Sequence, residues 1–195
     1  MANPARWTRL TGLAGIFTPV FILTTIFISI AMSPWFSWHD NALSDMGVSR
    51  TPNPFNAALL IGGLLYLTFA LGFSRWYAAP SRLARLALFC LVAGGVGLAL
   101  VGLVTEEAGR IHYAVAAAYF LLTPAAYLLL GIDLLRRGEK MSGVLTSAAG
   151  IAALVMISLV PHKRIAVPEI LASTILAAWT FAMGVKLLIE PTPEK

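Results

Sequence analysis

The sequence predicts an all-α, polytopic membrane protein: a six-transmembrane-helix bundle forming a single domain over residues 1–195, with a short interfacial helix in the first outer loop. Three observations predict it. Of the 195 residues, 58% are hydrophobic and only 12% are charged, about half the charged share of a soluble domain. The apolar residues gather into runs of about 20, the length that crosses the hydrocarbon core of a bilayer. The fourteen lysines and arginines, which give a pI near 9.7, lie in ones and twos between these runs. That scatter suits helix-end anchoring, and it excludes the continuous basic stripe that nucleic-acid binding needs.

The first run, Thr11–Met32, follows Arg6 and Arg9 and so resembles a secretory leader. Its length exceeds a typical leader core and no small-x-small cleavage site follows, so it reads as a retained helix. Asn53-Pro54 opens the second run, Pro54–Phe73, with a cap residue ahead of a proline at the first helical position. The third, Leu83–Val104, carries Gly94, Gly95, Gly97 and Gly102, and small residues let helices approach closely in lipid. Gly95 and Ala99 stand one turn apart, as do Ala114 and Ala118 in the fourth run, Ile111–Leu130. Gly138 and Gly143 flank the turn into the fifth, Ser142–Val160, and Val167-Pro168 opens the sixth, Pro168–Leu188. Pro19 and Pro124 fall inside spans, where bilayer helices tolerate them. Cys90, the single cysteine, lies in an apolar run and excludes an intramolecular disulfide.

Orientation follows from the cations. Arg6, Arg9, Arg75, Arg82, Arg85, Arg136, Arg137, Lys140, Lys186 and Lys195 fall on one side, and Arg50, Arg110, Lys163 and Arg164 on the other. The positive-inside rule places both termini in the cytoplasm of a multi-pass cell-membrane protein surrounded by membrane lipids.

The chemistry gathers on the opposite face. His39, His112 and His162 lie in or beside the three outward connections, with Asp40, Asp45, Glu106, Glu107 and Glu169. In the longest connection, 33–53, Trp35 and Trp38 suit the headgroup level. Asn41–Gly47 reads as the interfacial helix, with Asn41 as its cap, Leu43 and Met46 on its apolar face and Gly47 as its stop, leaving Ser44 and Asp45 at the bundle mouth. Glu106 and Glu107 would stand at a helix C-terminus, where the dipole opposes negative charge unless Arg110 or a metal compensates. His112 opens the fourth helix, where the dipole disfavours a protonated ring, so a neutral imidazole is expected there. Lys163 and Arg164 suit anionic headgroups, and Glu169 suits the start of the last helix. On the cytoplasmic side, Asp133, Glu139, Glu190 and Glu194 read as solvated charges.

Three functions fit this distribution. Histidine and carboxylates at one face could bind a small ligand, a lipid headgroup or a divalent metal, with Asp45, Glu106, Glu107, His112 and His162 as the nitrogen and oxygen ligands. A metal-activated water, with Ser44, Asp45 and His112 as catalytic groups and Asn41, Arg110 and Glu169 around them, would hydrolyse a lipid-like amide or ester. Against this, the sequence has no HExxH and no cysteine ligand in that region. Small-solute transport or a purely structural bundle is the third reading. An ionisable residue deep within a span, the usual mark of transport, is missing from the sequence.

The run 33–47, Ser-Pro-Trp-Phe-Ser-Trp-His-Asp-Asn-Ala-Leu-Ser-Asp-Met-Gly, resembles the first-loop signature of the domain-of-unknown-function 998 family, in its archaeal branch. Gly109-Arg110-Ile111-His112-Tyr113 is similar to that family's turn before the fourth helix, and Ala166-Val167-Pro168-Glu169-Ile170 to its entry into the last. Asn41, Ser44, Asp45, Gly47, His112 and Glu169 match the motif positions, while Glu106-Glu107 departs from the Pro-Glu-Asp-like turn of the pattern. The resemblance covers essentially the whole chain. It implies a small prokaryotic multi-span protein and no particular activity. A looser likeness, to the alkaline-ceramidase-like membrane hydrolases, rests on Ser, Asp and His at one face; their seven helices and their histidine pair on the last helix have no counterpart here.

Overall fold

A computed structural model describes residues 4–50, 53–77, 79–159 and 166–190. Six long helices account for nearly all of them: α1 (Pro4–Ala31), α2 (Phe55–Trp76), α3 (Arg82–Leu103), α4 (Arg110–Arg136), α5 (Lys140–Ser158) and α6 (Ala166–Ile189). Each is long and apolar enough to cross a membrane. Large apolar side chains point outward from the bundle, Phe89 being 67% exposed and Leu145 61%; in water such a surface would aggregate, whereas lipid covers it. The chain is an integral membrane protein.

Every helix packs on its neighbours in sequence, and α6 closes back onto α1, so the six form a ring. Glycine permits the closest approaches. At Gly63 a Cβ would stand 2.3 Å from the Ala99 backbone nitrogen, which clamps α2 to α3, and at Gly184 it would stand 2.7 Å from that of Ile16, which clamps α6 to α1. The α3–α4 approach uses Gly97 against Val115 and Tyr119; Ala114 is exposed, so the expected pairing of Ala114 with Ala118 is not the contact face. Gly143 lies inside α5 against Leu135 rather than in the preceding turn, and Gly138, at φ +87°, makes that turn alone. Thr18 and Thr25 donate their hydroxyls to the carbonyls of Ala14 and Phe21, both at 2.7 Å, which keeps polar groups satisfied inside an apolar helix.

The helices overrun the predicted spans where polar residues continue them. α1 begins at Pro4 and α4 runs on to Arg136, and the second extension changes the reading of Asp133. That residue is not a solvated charge: it is 2% exposed. Its carboxylate accepts hydrogen bonds from the Tyr77 hydroxyl at 2.7 Å, from Ser81 and from Arg137 Nε at 2.7 Å. Ser81 also caps α3, accepting from the Ala84 nitrogen at 3.1 Å. The network ties the α2–α3 turn to α4 and marks the basic end of the bundle. The opposite end, with the long first connection, is the loop end.

Candidate functional site

The first connection folds back over the loop end. Its helical piece is a 3-10 turn, Leu43–Val48, tighter and two residues later than the interfacial helix expected from Asn41. Leu43 and Met46 do face inward, 6% and 1% exposed. Asn41 is not its cap: the Asn41 oxygen accepts from the Ser37 nitrogen at 2.8 Å, and its amide donates to Asp45 Oδ2 at 2.8 Å. Asp45 reaches back instead, accepting from the Ala42 nitrogen at 3.1 Å. Nor does Gly47 stop the turn. A Cβ there would collide with the Asn56 side chain, whose amide donates to the Gly47 carbonyl at 2.7 Å. Gly47 is thus needed for close approach to α2.

The link to the last helix is one bond long. Glu169, in the first turn of α6, accepts from the Leu43 nitrogen at 2.8 Å. A free donor at the start of the 3-10 turn meets a carboxylate from the far end of the sequence, with Asp45 and Glu106 as its acidic electrostatic neighbours. Glu106 does not end α3, as expected, but opens a separate 3-10 turn, Glu106–Ala108. It is buried, and one of its oxygens accepts from the Tyr113 hydroxyl at 3.4 Å. Gly109, at φ +57°, turns the chain into α4. Glu107 and Arg110 are exposed, as are His39 and Asp40.

His112 is 4% exposed, and its Nδ1 lies 2.6 Å from the Val104 carbonyl oxygen. A carbonyl only accepts, so Nδ1 carries a proton; in a neutral ring Nε2 is then the acceptor.

Ser44, His112 and Glu169, from three separate segments, line one cavity. Below them the walls are apolar, with Ile22, Leu59, Leu98 and Leu176 among them, and the cavity ends beside Tyr66 and Thr180. From Glu169 to Thr180 is about 16 Å at helical rise. The cavity has about 80 Å³ of room for the centres of water-sized groups, so over that length it is a slender shaft.

Of the residues expected at a site, then, Ser44, His112 and Glu169 share a cavity, Asn41 and Asp45 buttress its cover, and Glu106 lies nearby. Glu107 and Arg110 stand apart at the surface, and His162 lies outside the described residues. Among the described residues no three of His, Cys, Asp and Glu gather as a metal-ligand group. Sequence reasoning did not reach the shaft walls or Tyr66 and Thr180, because apolar and hydroxyl residues inside a span look alike whether they face lipid, a neighbouring helix or a cavity.

A second cavity, of about 250 Å³, opens at the basic end among Tyr77, Trp76, Arg137, Glu139, Lys186 and Glu190, and reaches inward to Trp179 and Thr146. Lys186 stands 3.5 Å from Glu190 and 4.0 Å from Glu139.

No curated protein and no solved structure is a match for the chain. The family model described as a protein of unknown function (DUF998) matches residues 16–186, from the middle of α1 to the last turn of α6, and the chain belongs to that family.

Proposed function

We propose that this membrane protein binds a slender, single-chain amphiphile at its extracytoplasmic face, polar group at Ser44, His112 and Glu169 and apolar chain in the shaft below. One observation carries the reading: polar groups from three distant segments ring one end of a shaft whose walls are otherwise mostly apolar, the form of a site that orients a ligand with a few polar contacts and holds it by apolar burial. His112 Nε2 accepts from a ligand hydroxyl or amide, since Nδ1 is committed to Val104. Ser44 donates or accepts as required. The shaft's narrowness favours one chain over a two-chain lipid.

Photolabelling with a diazirine-bearing fatty alcohol in nanodiscs tests it. Labels are expected on Ile22, Leu59, Leu98 or Leu176, and Leu98→Trp, which fills the shaft, should remove at least nine-tenths of them. Labels confined to lipid-facing residues such as Phe89 and unchanged by Leu98→Trp would refute the site.

A hydrolytic version of the same site is favoured by the His112 contact: with Nδ1 bonded to a carbonyl, Nε2 is the nitrogen left to act as a base in a cavity that Ser44 also lines. A divalent metal on His112 would supply an activated water in its place, with its other ligands drawn from outside the described residues, since Asp45 and Glu106 do not gather with His112. Two measurements decide it. Elemental analysis of chelator-free protein should find stoichiometric metal that His112→Ala loses, and a fluorogenic fatty amide or ester should turn over only in the wild type. Neither metal nor turnover leaves binding alone.

The cation asymmetry supports both termini in the cytoplasm. A C-terminal fluorescent-protein fusion should glow and a C-terminal alkaline phosphatase fusion should stay inactive; the reverse would invert the site's side.

A further inference from the structure

We infer that the two cavities are the vestibules of one interrupted pathway through the helix ring, closed at mid-membrane by a layer of aromatic rings and hydroxyls, and that it passes small uncharged solutes bearing hydrogen-bonding groups. The placement on α6 carries this furthest. Thr180 lines the loop-end cavity while Trp179 and Met183 line the basic-end one, so the two come within a single helical turn of each other. Together they run along α6 from Glu169 to Glu190, about 31 Å at helical rise, which matches the hydrocarbon thickness of a bilayer. Both lie inside the ring, the first walled by residues of α1, α2, α3, α4 and α6, the second by α2, α4, α5 and α6.

The closing layer is thin and polar. The Tyr127 ring lies tilted against Trp179, centroids 4.0 Å apart, and Trp179 meets Phe69 edge-on at 6.3 Å. The Tyr127 hydroxyl bonds the Leu176 carbonyl at 3.0 Å and the Thr180 hydroxyl at 2.9 Å. The Trp179 indole donates to Thr146 at 3.0 Å. A line of hydrogen-bonding groups therefore runs from one cavity to the other. Beside it, the buried Tyr66 hydroxyl has the Tyr127 and Thr123 hydroxyls as its hydrogen-bonding neighbours. Hydroxyls both donate and accept, so a solute or water crossing the layer can exchange hydrogen bonds with them. The layer holds Tyr66, Phe69, Tyr127, Trp179 and Thr180 and no carboxylate, ammonium or imidazole, so a charged solute would lack compensation at the depth where it needs most.

Sided thiol labelling and glycerol efflux from proteoliposomes test the pathway independently of amphiphile binding. With Cys90 replaced by Ala, A177C should react with an impermeant methanethiosulfonate only from the loop end, and M183C only from the basic end. Thr180→Ala and the packing-preserving Tyr127→Phe remove hydrogen bonds from the layer. In each, A177C should become reactive from the basic end and glycerol loss should rise several-fold above empty liposomes. If both variants keep strictly one-sided labelling and lose glycerol no faster than empty liposomes, the pathway is overturned. The photolabelling result for the shaft would stand either way.

Discussion

Asp133 is a carboxylate sealed inside the basic end, and three donors converge on it. An amide at that position has one carbonyl oxygen and no charge, so Asp133→Asn cannot serve Tyr77, Ser81 and Arg137 together. It should cost about 2 kcal/mol of stability, the scale of a charge-assisted hydrogen bond, read as a lower unfolding midpoint in mixed micelles; an unchanged midpoint would show the network to be idle. Tyr77 adds a pH signature. Burial above all, and then the bond to Asp133, push its phenol above its ordinary range. A raised pKa in the fold means the contribution is complete below the ordinary tyrosine value of about 10 and is lost as pH rises past it. Wild-type protein should therefore lose stability above about pH 10, and Tyr77→Phe should show a shallower alkaline loss. The sequence hid this network. Asp133 beside Arg136 and Arg137 looks like an ordinary solvated helix end, and what buries it is a turn more than fifty residues earlier in the chain. His112 was legible in its place on the first turn of α4, although nothing local announced the Val104 carbonyl as its partner.

The six helices were readable because each is a nearly unbroken apolar run, and composition alone decides such runs in lipid. Their ends were less so. α4 outlasts its apolar run by continuing through Asp133 and Arg136, whose side chains the bundle or the interface accommodates. The first-loop turn was legible in its facing, since Leu43 and Met46 do point inward, but not in its register, which is fixed by the Glu169 carboxylate arriving from α6. Helix contacts make a sharper test. At Gly184 an added Cβ meets backbone of α1 at 2.7–2.8 Å, and backbone cannot step aside. Gly184→Ala should part α1 from α6 and cost about 1–3 kcal/mol. Gly109→Ala meets no neighbour within 4 Å but sits at φ +57° and ψ −118°, a backbone conformation nearly closed to L residues, so its cost of about 1–3 kcal/mol is conformational alone. An unchanged unfolding midpoint for Gly184→Ala would contradict the close α1–α6 packing.

Arranged as a ring, the helices leave an axis that is not filled by side chains at either end, and both cavities lie on it. A tightly filled six-helix bundle would need larger residues where Ala116, Ser173 and Ala177 stand. The central claim is that the loop-end shaft takes up a single-chain amphiphile, and two positions on α6 separate that from ordinary lipid contact. Ser173 lines the shaft, whereas Leu171, two residues away, is 46% exposed on the outer surface. In a Cys90→Ala background, S173C and L171C can be compared for their rates of modification by a small thiol reagent, with and without dodecanol. Dodecanol should slow S173C at least ten-fold, leave L171C unchanged, and lose its effect on S173C when Leu98→Trp fills the shaft. Equal rates at S173C with and without dodecanol, or equal slowing at both positions, would contradict it.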